Sequence, residues 1–110
     1  MLDMPALPAV ITENMEAIRA LCAQHGVKRL AVFGSAVKGT FDPARSDVDF
    51  VVEFLPDQKP VHLAWGKLAL ADDLEKLLER DVDLVRRSTI RNPYFLQVLD
   101  LSEYSLYDAA

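Results

Sequence analysis

The stretch Val32-Phe33-Gly34-Ser35-Ala36-Val37-Lys38-Gly39, continued by Thr40-Phe41-Asp42-Pro43-Ala44-Arg45-Ser46 and by Asp47-Val48-Asp49-Phe50-Val51-Val52-Glu53-Phe54, decides the fold. It opens inside a short apolar run, Leu30 to Phe33, that is too short for a helix and is stopped by Gly34, so a buried strand is predicted. Ser35 to Lys38 leaves room for one helical turn before Gly39, and Thr40 to Ser46 reads as a polar loop around Asp42-Pro43. The last segment alternates. Val48, Phe50, Val52 and Phe54 face one way and Asp47, Asp49, Val51 and Glu53 the other, which gives a second strand with one apolar and one mostly acidic side. If Gly34-Ser35 at the end of the first strand and Asp47/Asp49 at the start of the second form one site, the two strands run antiparallel when adjacent. The expectation is therefore an α/β (α+β) domain, a small mixed sheet packed by helices, and not a purely parallel sheet.

Upstream, Pro5 and Pro8 mark residues 1–9 as a leader expected to be loosely ordered. Ile11, Met15, Ile18 and Leu21/Cys22 then recur at helical spacing, and Gly26 closes that amphipathic helix. Downstream, Pro56 to Pro60 reads as a loop. Leu63, Lys67, Leu70, Leu74 and Leu77/Leu78 mark a long second helix whose polar face carries Asp72, Asp73, Glu75, Lys76 and Glu79. Val82 to Val85 is a third strand, and Asn92-Pro93 forms an N-cap with proline at the first helical position, opening a short helix through Leu99. The tail Tyr104 to Tyr107 fits an edge strand or a docked extension. No repeat or Gly/Ser linker divides the chain, so residues 1–110 are read as a single domain.

Composition removes several function classes. Twelve Lys and Arg against seventeen Asp and Glu leave a net charge of −5 in 110 residues. An anion is a poor passive binder of nucleic acid, because such binding rests on phosphate neutralisation, so no direct nucleic-acid contact is expected. The single Cys22 supports neither a disulfide framework nor a thiolate metal site and reads as a buried apolar residue. Uncharged apolar runs fall far short of the ~20 residues of a membrane span, and no secretory signal is visible. A cytoplasmic protein without membrane contact is expected. The length leaves room for a nucleotide but little to enclose a second substrate.

The chemistry lies in the acids. Residues two apart on a strand point the same way, so Asp47 and Asp49 can converge on a divalent cation, and hard carboxylate oxygens suit Mg2+, whose remaining positions go to water and substrate phosphate. Asp49 precedes Phe50-Val51-Val52 and so lies inside the sheet, where an unpaired carboxylate is costly. Asp83, between Val82 and Leu84, repeats the arrangement in the third strand and is a better third carboxylate than Asp81 at the frayed start. Gly34-Ser35 offers unobstructed backbone N–H groups and a hydroxyl, as a phosphate requires. Rival readings of Asp-x-Asp fail. The twelfth residue from Asp47 is Gln58, not the glutamate of an EF-hand, and Gly66-Lys67 is followed by Leu68 instead of the Ser/Thr of a P-loop. His25 and His62 are isolated in sequence and read as helix-end or loop residues.

Val32-Phe33-Gly34-Ser35, Gly39 and Ser46-Asp47-Val48-Asp49-Phe50, followed by Arg80-Asp81-Val82-Asp83-Leu84-Val85, resemble the DNA polymerase beta-like nucleotidyltransferases. Asn92-Pro93-Tyr94 and Tyr104 to Asp108 are similar to the ends of the minimal nucleotidyltransferases (MNT), antitoxins of HEPN/MNT toxin–antitoxin pairs of the MntA kind. The resemblance runs from about Val10 to Asp108. It implies an α-β-α-β-α-β-α nucleotidyltransferase fold, ATP as donor and Mg2+ held by Asp47, Asp49 and Asp83, which form the catalytic set with Asp83 able to act as general base. Gly34, Ser35 and Lys38 would bind the nucleotide phosphates. It further implies transfer of AMP to a tyrosine of a HEPN toxin, with pyrophosphate released, within a hetero-oligomer of toxin and antitoxin. The alternative is a non-catalytic antitoxin that neutralises the HEPN ribonuclease by binding and occlusion; a nucleotidyltransferase acting on a small molecule ranks last. The chain departs from the family's Gly-Ser-Arg-x-Arg-Gly at Ala36 and Lys38. Arg86 and Arg87 could guide a nucleotide or partner, or simply end a strand in water.

Overall fold

The computed structural model describes residues 7–56 and 60–109, with the side chains of residues 60–64 outside the described set. Its elements are α1 (Ala9–Thr12), α2 (Met15–Gln24), β1 (Val27–Phe33), α3 (Ser35–Lys38), β2 (Val48–Phe54), α4 (Pro60–Leu78), β3 (Val82–Arg86), a 3-10 turn (Arg87–Thr89), α5 (Pro93–Ser102) and β4 (Tyr104–Asp108). The sheet order is β3-β2-β1-β4. As the placement of Gly34 and Asp49 requires, β1 and β2 run antiparallel. β2 and β3 run parallel, which demands a long crossover, and α4 supplies it. The tail is an edge strand, β4, antiparallel to β1, one element beyond the expected order.

The N-terminal helix is broken in two. Asn14 turns its amide back to the Val10 carbonyl at 2.7 Å, the local side-chain bond that makes asparagine a poor helix-interior residue. α2 ends where expected, with Gly26 in the left-handed region (φ +68°). Of the expected leader, residues 1–6 lie outside the described residues, whereas Leu7 packs against the core. His25 sits at the end of α2, as read, and its Nε2 lies 2.7 Å from Asp73 Oδ2 on α4. His62 falls among the side chains outside the described set.

The two faces of the sheet are covered unequally. Ile11, Ile18 and Cys22 from α1 and α2, with Leu70, Leu74 and Leu78 from α4, bury one face against Val48, Phe50 and Val52. Burial pushes the Cys22 thiol up to about 12, so it behaves as an inert apolar group. α5, with Ile90 ahead of it, covers part of the other face, where Leu99 packs on Ala31 and Val51 with Phe33, Val85 and Phe95 around them. Its start is capped as the sequence predicts, Asn92 Oδ1 accepting from Tyr94 N at 2.9 Å. Its far end is fixed by charge: Glu103, its side chain only 6% exposed, takes Arg29 at 2.6 Å and Arg87 at 3.1 Å, and Arg87 also pairs with Asp100. Arg87 is thus not a solvated strand end. It ties the strand-end turn to α5. Among the described residues no helix is long and apolar enough to cross a membrane.

Candidate active site

β1 ends at Phe33, and the chain turns at once through Gly34, whose φ +72° and ψ −143° lie in a region essentially reserved for glycine. A Cβ built there would overlap Asp49 Oδ2 and come within 3.3 Å of its Cγ. Glycine is required twice over, for backbone conformation and for space. The bare backbone lets a carboxylate from the neighbouring strand lie directly against the turn.

Pairing sets the rest. Asp49 stands opposite Phe33 on β1 and opposite Asp83 on β3. Side chains in register on adjacent strands share a face, so Phe33, Asp49 and Asp83 form one row across the sheet; Phe33 begins the row against Phe95 of α5, ring centroids 5.8 Å apart, and the two carboxylates continue it. Asp47 immediately precedes β2 and is exposed; Asp49 is half-buried and Asp83 exposed. Burial raises the Asp49 carboxyl above its ordinary value, and the charges of Asp83 and Asp47 raise it further. Among the described residues none of the three carboxylates has a cationic partner. Within that part of the chain no ion pair neutralises the negative charge of the set.

Gly34 therefore joins the carboxylates, and Ser35 adjoins them as the first residue of α3. Lys38 stands at the other end of that turn, exposed, without an ion pair among the described residues. Ala36, at the position where the resemblance has arginine, is 2% exposed and packs in the core, so this turn offers no cation from that position. The loop between Gly39 and Asp47 is folded on itself: Asp42 O accepts from Ser46 N at 2.8 Å and Asp42 N donates to Ser46 Oγ at 2.8 Å. Sequence reasoning gave Arg80 no role beyond its place in the motif. Its guanidinium reaches this loop, donating to Ser46 O at 3.3 Å and lying 5.1 Å from the centre of the Phe41 ring. A cation immediately ahead of the third acidic strand was the only signal that pointed to it.

Three side chains of hard oxygen donors beside an unobstructed backbone turn match a divalent cation in chemistry. As they stand, no three His, Cys, Asp or Glu side chains among the described residues are gathered tightly enough to enclose an ion.

The nucleotidyltransferase domain model matches residues 15–105, most of the chain and all of this site. The chain belongs to the nucleotidyltransferase domain family. Among curated relatives, it is 33% identical over 92 residues to the protein adenylyltransferase MntA of Thermococcus cleftensis, covering 84% of this chain and 85% of that protein. Among solved structures, a toxin–antitoxin crystallised with AMP-PNP matches with a TM-score of 0.67 and 24% identity, covering 87% of this chain and 74% of the other. The tri-AMPylated HEPN toxin of Shewanella oneidensis in complex with its MNT antitoxin matches with a TM-score of 0.62 and 21% identity over 89% of this chain and 72% of the other. At those identities the two structures establish the nucleotidyltransferase fold, which the mixed sheet and its helices share.

Proposed function

We propose that this nucleotidyltransferase is a protein adenylyltransferase, the antitoxin of a HEPN toxin, and that it moves AMP from ATP to a tyrosine of that toxin in the cytoplasm. The observation that carries the reading is the row of Asp49 and Asp83 beside Asp47, set against the bare turn at Gly34. The likeness to MntA supports the substrate class, and the toxin complexes of the same fold support the partner.

In this reading Asp47, Asp49 and Asp83 would hold Mg2+, which when bound supplies neutralisation of the triphosphate charge. The backbone N–H groups at Ser35 and Ala36 open α3 without carbonyl partners inside the helix, and they take the β- and γ-phosphate oxygens together with the Ser35 hydroxyl. Lys38 adds a mobile positive charge and no forked guanidinium contact. Asp83, exposed at the outer edge of the row, accepts the proton of the acceptor hydroxyl. The hydroxyl oxygen then bonds to the α-phosphorus, the bond from that phosphorus to the bridging oxygen breaks, and pyrophosphate leaves with the electron pair. The protein's contribution is placement and charge balance, the main resources of phosphoryl-transfer sites.

The test is mass spectrometry of a HEPN partner after incubation with the protein, ATP and Mg2+. One or more AMP units on the partner are expected with the wild type and none with Asp47→Asn/Asp49→Asn. A partner that is neutralised equally by both proteins, without any mass increment, would instead establish neutralisation by occlusion.

A further inference from the structure

Asp47 is the one proposed metal ligand outside the regular sheet. It belongs to the lead-in to β2 and has no strand partner of its own. The residues on either side of it are nevertheless held, and by consecutive residues. Ser46 O accepts from Arg80 Nη1 at 3.3 Å, and Val48 N donates to Asp81 O at 3.2 Å. Arg80 also lies over Phe41, gripping the loop a second time. It is aimed there by Glu79, a non-glycine residue in the left-handed region (φ +53°) that ends α4 and redirects the chain before β3. The lead-in to the strand that carries Asp83 thus also carries the anchors of Asp47.

The burial of Arg80 carries a cost. Among the described residues its Nε is buried without a hydrogen-bond partner, a desolvation cost that an apolar side chain of similar reach would avoid. The side chain forms the common wall of two hollows, an apolar one with Val10, Ala36 and Phe41 and a polar one with Ser46, Asp47 and Asp81. A costly cation kept between the core and a candidate ligand loop has its use in the site.

We propose that Arg80 is the positioning residue that holds Asp47 in line with Asp49 and Asp83 for the divalent cation. This rests on the metal reading given above, and it adds a residue that touches neither metal nor substrate. Removing Arg80 frees the Ser46 carbonyl and the Phe41 ring, so Asp47 samples other positions and the cation loses its third carboxylate for much of the time.

The experiment compares the wild type, Arg80→Met and Arg80→Lys as full chains, measuring Mn2+ binding by titration calorimetry with AMP-PNP present, and thermal midpoint. Arg80→Met should bind Mn2+ about tenfold more weakly, the order of effect of one charge-assisted hydrogen bond, with a thermal midpoint unchanged or higher. Arg80→Lys should recover part of the affinity, because an ammonium can still donate to Ser46 O but cannot lie flat on Phe41. Unchanged Mn2+ affinity in Arg80→Met would overturn the proposal, as would a loss matched by a lower midpoint, which would mark a merely structural residue. Because the readout needs no turnover, it separates from the function reading. Mn2+ binding that depends on Arg80 without AMP transfer to a toxin would sink the proposed activity alone, whereas transfer with Arg80-independent binding would sink this assignment alone.

Discussion

Gly34→Ala tests the packing of the site directly. Two penalties add. The first is conformational: a residue with a Cβ at φ +72° and ψ −143° sits in a glycine-only region, at a cost of about 1–3 kcal/mol. The second is steric, since the new Cβ would overlap Asp49 Oδ2 and stand 3.3 Å from Cγ, inside the 3.4 Å where ordinary contact begins. Asp49 must then swing away or the turn must open, for roughly 1 kcal/mol more, the lower end of overpacking costs. The sum, about 2–4 kcal/mol, lowers the thermal midpoint by roughly 10–25 °C in a domain of this size. The two parts separate in a double-mutant cycle measured by urea unfolding. Asp49→Ala removes Oδ2 and Cγ but keeps a Cβ at an ordinary 3.5 Å, so in that background Gly34→Ala should cost only the conformational part. A coupling of about 1 kcal/mol is expected. A penalty equal in both backgrounds to within about 0.3 kcal/mol would refute the close approach of Gly34 and Asp49.

Other substitutions report on other parts of the molecule. Asp49→Asn should stabilise the metal-free protein at neutral pH, because the folded state raises the Asp49 carboxyl above its ordinary 3.8. A raised carboxyl opposes folding once ionised, so the advantage of the variant should shrink as pH falls through the raised value toward 3.8, as melting curves in chelator would record. Glu103→Gln leaves Arg29 and Arg87, each about a quarter exposed or less, facing a neutral amide; a loss of about 2–3 kcal/mol in urea unfolding is expected, below the full cost of breaking a buried pair. Cys22, with its thiol pushed up to about 12 by burial, should resist a thiol reagent at pH ~8 in buffer and react fully in denaturant.

The sequence was informative where period and punctuation agree. The alternation of Val48 to Phe54 specified a strand with distinct faces, and the placement of Gly34 against Asp47 and Asp49 implied the antiparallel pairing that β1 and β2 adopt. Asn92-Pro93 announced α5 because capping is local chemistry. Burial on both faces was not legible: Val51 appears on the acidic side in sequence, yet α5 covers it through Leu99. The break at Asn14 was also hidden, since the apolar spacing of Ile11, Met15 and Ile18 continues through it. In the candidate site, the sequence placed Asp49 and Asp83 inside two strands, where they pair in register, whereas Asp47, read as opening the second strand, immediately precedes it. Arg80 was not legible. Its value comes from a loop 34 residues away in sequence, and only the left-handed turn at Glu79 brings the two together.

In the proposed function, the carboxylate row beside Gly34 directs attack at the α-phosphorus of ATP and leaves a nucleotidyl group on a protein. ATP labelled at either the α- or the γ-phosphate distinguishes this from phosphorylation in a single gel. With Mg2+ and a HEPN partner, the partner should take label from α-labelled ATP alone, and Asp49→Asn should take it to background. Label arriving from the γ-phosphate, or α-label undiminished by Asp49→Asn, would contradict the account.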